Sequence, residues 1–95
     1  MPAYVVAELK LEDRSWLASY VPSVEALVKK HGGRYIVRAL EYEQLEGDGR
    51  PDVIVVIEFP SMDAARAFYN DPGYEPYRKT RLAGAQGNLY LVAGE

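Results

Sequence analysis

Cysteine is absent from the chain. Its absence excludes a disulfide scaffold, thiolate metal sites and cysteine nucleophiles. Histidine occurs once, as His31, so a His-rich metal site cannot be built. A basic excess is also missing, with 11 Lys and Arg against 14 Asp and Glu for a net charge of −3. A nucleic-acid grip usually shows the opposite balance. No apolar run approaches the roughly 20 residues of a membrane span. The start, Met1-Pro2-Ala3-Tyr4, lacks the basic and apolar regions of a signal peptide. The expectation is a cytoplasmic protein with no nucleic-acid or membrane partner. Phosphate-binding loops, dinucleotide glycine fingerprints, zinc-protease motifs and serine-nucleophile elbows are all missing. No cofactor and no metal are therefore expected.

What remains is ordinary globular material: 95 residues, 48% apolar and 26% charged. That is enough for one domain over residues 1–95 with one core. Residues 3–11 alternate and are rich in Val, Leu and Tyr, as a strand does. Asp13 or Ser15 can cap a following helix. Apolar and aromatic residues at 16, 17, 20, 21, 24, 27 and 28 form one helical face. Pro22 should kink that helix or restart it, and Gly32-Gly33 ends it. Residues 34–45 and 53–59 read as strands joined through the glycine-containing segment 46–52. Glu41, Glu43, Glu46, Asp48 and Asp52 gather near that turn; without EF-hand spacing they read as a solvated turn rather than a cation site. Ser61 caps a second helix containing Ala64, Ala65, Phe68 and Tyr69, which Asp71-Pro72-Gly73 breaks. A further helical stretch over 74–84 and a last strand over 88–93 follow. The order is the ferredoxin-like β-α-β-β-α-β, an α+β fold. Right-handed crossovers then place the helices on one face of a four-stranded antiparallel sheet.

Side chains alternate along strands, so each strand supplies two faces. One parity is almost wholly apolar: Val5, Ala7 and Leu9, then Tyr35, Val37 and Ala39, then Val53, Val55, Ile57 and Phe59, then Leu89 and Leu91. It is assigned to the helix-covered core. The other parity carries Val6, Ile36, Leu40, Ile54, Val56 and Val92 among Glu8, Arg34, Arg38 and Glu58. That face is too apolar to lie bare in water. Two such sheets packed face to face would bury it as an isologous homodimer.

The residues also carry a family likeness. Pro2-Ala3-Tyr4-Val5-Val6-Ala7 opens the chain, and Lys30-His31-Gly32-Gly33-Arg34-Tyr35 follows the first helix. Glu46-Gly47, Val56-Ile57-Glu58-Phe59-Pro60-Ser61 and Ala64-Ala65-Arg66-Ala67-Phe68-Tyr69 come next. Asp71-Pro72-Gly73-Tyr74 and Tyr77-Arg78-Lys79-Thr80-Arg81 complete the set. Over nearly its whole length the chain resembles the domain-of-unknown-function family numbered 1330, within the dimeric α/β-barrel superfamily. The resemblance implies a ferredoxin-like protomer pairing as a dimeric α/β barrel. Superfamily relatives include cofactor-free monooxygenases, haem-degrading enzymes and lactone isomerases. A glycine often follows the second strand's arginine in this family; here Ala39-Leu40 follows Arg38, which would narrow a cavity nearby.

Several residues are candidates for chemistry. His31 is the natural acid/base group, yet it sits in the last turn of a helix, where a cation suits the dipole. Glu58 lies in an otherwise apolar strand, on the same face as Arg34 and Arg38. Those residues read either as an interface ion-pair network or as a proton-moving carboxylate beside an anion-holding cation. Glu58 is expected to matter more than His31, which should meet water more easily. Tyr74, Tyr77, Arg78 and Arg81 share one helical stripe. Arg78, Arg81 and Tyr77 are the candidate substrate-binding groups, fit for a carboxylate or phosphate; the alternative is a solvated or core-flanking helix. Trp16 and Tyr20 read as core closure rather than a flavin or haem platform. An N-terminal Pro2 acting as a base, as in tautomerases, fits the element order less well.

Two functions fit this reading. One is a small cofactor-independent enzyme acting on a small organic acid or oxygenated ring, with Glu58, Arg38 and His31 as participants. The other is a non-catalytic dimeric ligand-binding or accessory module. A polar group left beside a deep cavity favours the first; complete ion pairing without a cavity favours the second.

Overall fold

Alternation decides the first layer. The structure, a computed structural model, describes residues 1–95. Strand β1 (Ala3–Leu11) buries Ala3, Val5, Ala7 and Leu9 and turns Tyr4, Val6, Glu8 and Lys10 the other way. It lies between β3 (Val53–Phe59) and β4 (Ala85–Ala93), with β2 (Arg34–Ala39) beyond β3. The sheet order is β2-β3-β1-β4, antiparallel throughout. Helix α1 (Leu17–Lys30) forms the first crossover; α2 (Met62–Tyr69) and α3 (Glu75–Gly84) form the second. This is the ferredoxin-like arrangement expected, with the second crossover carried by two helices. The core unites Val5, Ile57 and Phe59 of the sheet with Val24 and Val28 of α1, Ala65 and Phe68 of α2, and Tyr74. Phe68 sits between Phe59 and Tyr74, with ring centroids 5.3 Å and 4.7 Å away. No helix is long and apolar enough to cross a membrane.

The helix ends follow local chemistry. Ser61 Oγ accepts the Ala64 N–H at 3.0 Å and caps α2. At the end of α1, the Gly32 N–H donates to the Lys29 carbonyl and the Gly33 N–H to the Val28 carbonyl. That pair of bonds is the Schellman stop, and Gly32 takes the left-handed φ of +80° it needs. The start of α1 differs from expectation. Its N-cap is Trp16, with no side-chain cap. Asp13 instead accepts the backbone N–H and the hydroxyl of Ser15, closing a turn before the helix. Pro22 neither breaks nor restarts α1, which runs through it. Ala18, whose carbonyl loses its partner one turn back, is exposed and so can meet water.

The second strand departs most from the sequence reading. It ends at Ala39 rather than continuing to residue 45. Tyr42 donates its hydroxyl to the Pro51 carbonyl at 2.7 Å, and Gln44 Nε2 donates to the Gly47 carbonyl, so the connection closes on itself. Within β2, Tyr35 pairs with Ile57 but Val37 pairs with Val56, leaving Ile36 as an extra residue. This β-bulge reverses the alternation beyond it. Val37 and Ala39 therefore join the outer face with Ile36, and Arg38 and Leu40 turn toward the helices. The expectation that Arg38 and Leu40 share the outer face with Glu58, and that Val37 and Ala39 face the core, is corrected by that single inserted residue.

Candidate functional site

Helices and sheet do not close completely on one another. A cavity of about 380 Å³ lies between them, lined by 20 residues of which 17 are hydrophobic. Its floor is the core face of β1 and β3; its walls come from α1, Tyr74 and α3. The three charged lining residues are all arginines, Arg14, Arg38 and Arg81, and no carboxylate or histidine lines the space. An apolar cavity with a few polar groups is the usual form of a small-molecule site.

The three arginines differ in their partners. Arg14 is 60% exposed and lies 4.0 Å from Asp52. Arg38, 44% exposed, pairs with Glu25 of α1 at 3.3 Å and stacks on the Tyr35 ring at 3.8 Å. Arg81 is only 6% exposed, and no carboxylate lies within 4.0 Å of it. Its Nε is buried without a hydrogen-bond partner. Burial opposes the charge, but the neighbouring Tyr74 and Tyr20 phenols outweigh it and raise the Arg81 pKa. Those phenols bond each other at 3.2 Å. Burial first, then Tyr74, pushes the Tyr20 hydroxyl far above the usual phenol range. Burial likewise pushes Tyr35 up to about 12. Tyr20 and Tyr35 are thus neutral at physiological pH. Trp16 meets Tyr20 edge-on at 5.0 Å, and its indole Nε1 is the other buried side-chain polar atom without a partner.

The expected site residues fall into separate places. Arg38 and Arg81 line the cavity. Glu58 lies on the outer sheet face, where its carboxylate accepts Arg34 Nε at 3.0 Å and the Tyr4 hydroxyl at 3.3 Å. Arg78 donates to the Tyr69 carbonyl at 3.0 Å, and Tyr77 packs against the core without lining the cavity. His31 has less exposure than expected, with its side chain 17% accessible against 28% for Glu58. Its Nε2 lies 2.7 Å from Asp71 Oδ2. Asp71 also accepts Lys30 Nζ at 2.9 Å and the Gly73 N–H at 2.8 Å. His31, then Lys30, then Gly73 hold the Asp71 carboxyl well below the usual carboxylate range. Because an ionised carboxylate only accepts, His31 Nε2 carries the proton in this bond. In sequence Asp71 looked only like part of a helix break. The pairing of Tyr20 with Tyr74 joins residues 54 apart, beyond any spacing rule.

A protein-family model, described as a domain of unknown function (DUF1330), matches residues 2–95. The chain belongs to the DUF1330 family. No curated protein matches it. Among solved structures, the DUF1330 chain is similar to RPA0582, a protein of unknown function from Rhodopseudomonas palustris. The TM-score is 0.83 and the identity 19%, over 99% of this chain and 82% of that one. It is also similar to SnoaB, a cofactor-independent oxygenase from Streptomyces nogalater, with TM-score 0.68 and 17% identity over 99% of this chain and 93% of that one. A third is a dimeric protein of unknown function and ferredoxin-like fold from Bacteroides fragilis. Its TM-score is 0.58 at 15% identity, over 98% of this chain and 95% of that one. At these identities the likenesses establish the fold.

Proposed function

We propose that this DUF1330 protein binds a small, largely apolar organic acid or oxygenated ring in the cavity and transforms it without a cofactor. Arg81 carries the reading. A buried cation without a counter-ion is costly, and an anionic ligand would supply the missing charge. The similarity to SnoaB, a cofactor-independent oxygenase, supports a reaction of that type in this cavity. A homodimer through the outer sheet face belongs to the same proposal. Ile36, Val37, Tyr90 and Val92 are each about two-fifths to one-half exposed there, and the similar Bacteroides fragilis protein is dimeric. Glu58, Arg34 and Tyr4 would then form a polar row within the interface.

The second reading, a non-catalytic ligand-binding module, has one observation in its favour: no carboxylate or histidine lines the cavity to act as a base. Nuclear magnetic resonance titration with small aromatic carboxylates tests the site. The expected result is perturbation of the Trp16 indole and of the Tyr20 and Tyr74 signals. Absence of perturbation at millimolar ligand would end both readings of the cavity. Aerobic incubation with the best binder in metal-free buffer then separates the two. Consumption of the compound supports the enzyme, and its full recovery the module.

A further inference from the structure

We infer that the cavity sorts ligands by charge and takes an oxyanion, a carboxylate, phenolate or enolate, on a flat apolar body. The inference rests on the cavity reading above and adds the chemical class. The two buried side-chain polar atoms that lack a partner are Trp16 Nε1 and Arg81 Nε. Arg81 lines this cavity; Trp16 lines it too, but its Nε1 packs against Gly84. Both atoms are N–H groups, and neither can accept a hydrogen bond. The Tyr20–Tyr74 pair adds a further donor beside Arg81 by counting. Two hydroxyl hydrogens are present, and the single bond between the oxygens uses one of them. Arginine cannot accept, so the Arg81 guanidinium beside Tyr74 cannot take up the other. Tyr20, held neutral by its surroundings, keeps its hydrogen for donation.

Uncommitted acceptors are scarce by comparison. Among the lining side chains the acceptors are phenol oxygens, and two of the three are engaged with each other. A ligand oxygen bearing negative charge would complement this end of the cavity. An ammonium group would meet a buried guanidinium and no carboxylate. The remaining lining is aliphatic and aromatic, which suits a ring rather than a polyol.

The experiment uses three shape-matched probes: naphthoate, its neutral naphthamide, and the naphthylmethylammonium cation. Calorimetric titration into the unmodified protein should show naphthoate binding roughly tenfold or more tighter than the amide, as for hydrogen bonds to a charged group. The cation should not bind measurably. Arg81→Gln should remove the preference for naphthoate over the amide, and Tyr20→Phe should reduce it, with circular dichroism verifying that each variant is folded. Equal binding of amide and carboxylate, or a preference unchanged in Arg81→Gln, overturns the charge sorting while leaving the cavity as a binding site. Tighter binding of the cation overturns it as well. If no probe binds the folded parent protein, the cavity reading fails and the charge sorting falls with it.

Discussion

Replacing Arg81 with Met should make the ligand-free protein more stable and less able to hold an anion. Arg81 is 6% exposed and has no carboxylate within 4.0 Å. Desolvating one ion costs several kcal/mol in a real protein interior, and exchanging buried ionic groups for apolar ones is often neutral or stabilising by about 1–4 kcal/mol. The Tyr74 and Tyr20 phenols already offset part of that cost, and the arginine stem already contributes apolar packing. A net gain of about 1–2 kcal/mol follows. For a domain of this size each kcal/mol moves the melting temperature by roughly 4–8 °C. Melts of both proteins at neutral pH and matched concentration give the first comparison. The second adds an aromatic carboxylate, which at a hundred times its dissociation constant stabilises a binder by about 2.7 kcal/mol. The parent should rise with ligand and the variant should not, so the order of melting temperatures narrows or inverts. A variant that melts well below the ligand-free parent would refute the reasoning, because Arg81 would then be a structural strut rather than a cation awaiting its partner.

Gly33→Ala should destabilise by about 1–3 kcal/mol, the usual cost of overpacking. An added Cβ would lie 2.6 Å from Phe59 Cε1 and 2.9 Å from Val28 Cγ1, and both side chains are fully buried; urea denaturation reads the loss. Asp71→Asn should lower the melting temperature at neutral pH and lose that effect in acid. The folded-state pKa of Asp71 is depressed, with His31 the largest cause. Its contribution is therefore complete above the ordinary carboxyl value of about 4 and disappears as pH falls through the folded value; parallel melts across that range check the sign. Val56→Lys should weaken self-association strongly by placing a charge on the outer face opposite Val6. Sedimentation of both proteins measures it, and a parent that stays monomeric at micromolar concentration would count against the sheet-face dimer.

Much of the fold was legible because period-two patterning survives in β1, where Val5 to Leu9 alternate in burial, and β3 pairs with β1 in unbroken register. Ser61 and Gly32-Gly33 marked helix ends through bonds that involve near neighbours in sequence. The site was less legible. Arg81 and Arg38 were identified as candidates, but their meeting around one cavity depends on tertiary packing and on the bulge at Ile36. Nothing in the run Arg34-Tyr35-Ile36-Val37-Arg38 marks where pairing slips, since each residue suits a strand on either face. His31 was misplaced in its environment for a similar reason. Its partner Asp71 lies 40 residues away, and a lone Asp before Pro reads first as punctuation.

The bulge in β2 makes strand register as consequential as residue type. Pairing Ile36 itself with Val56 would remove the bulge and shift the end of the strand by one residue along β3. Arg38 would leave Glu25 and Tyr35 and emerge on the outer face, while Val37 and Ala39 would turn inward. One lost bulge would thereby exchange a cation at the cavity rim for a cation on the outer face, with every side chain unchanged. A change of register in this strand is therefore a discrete route to new binding and pairing behaviour.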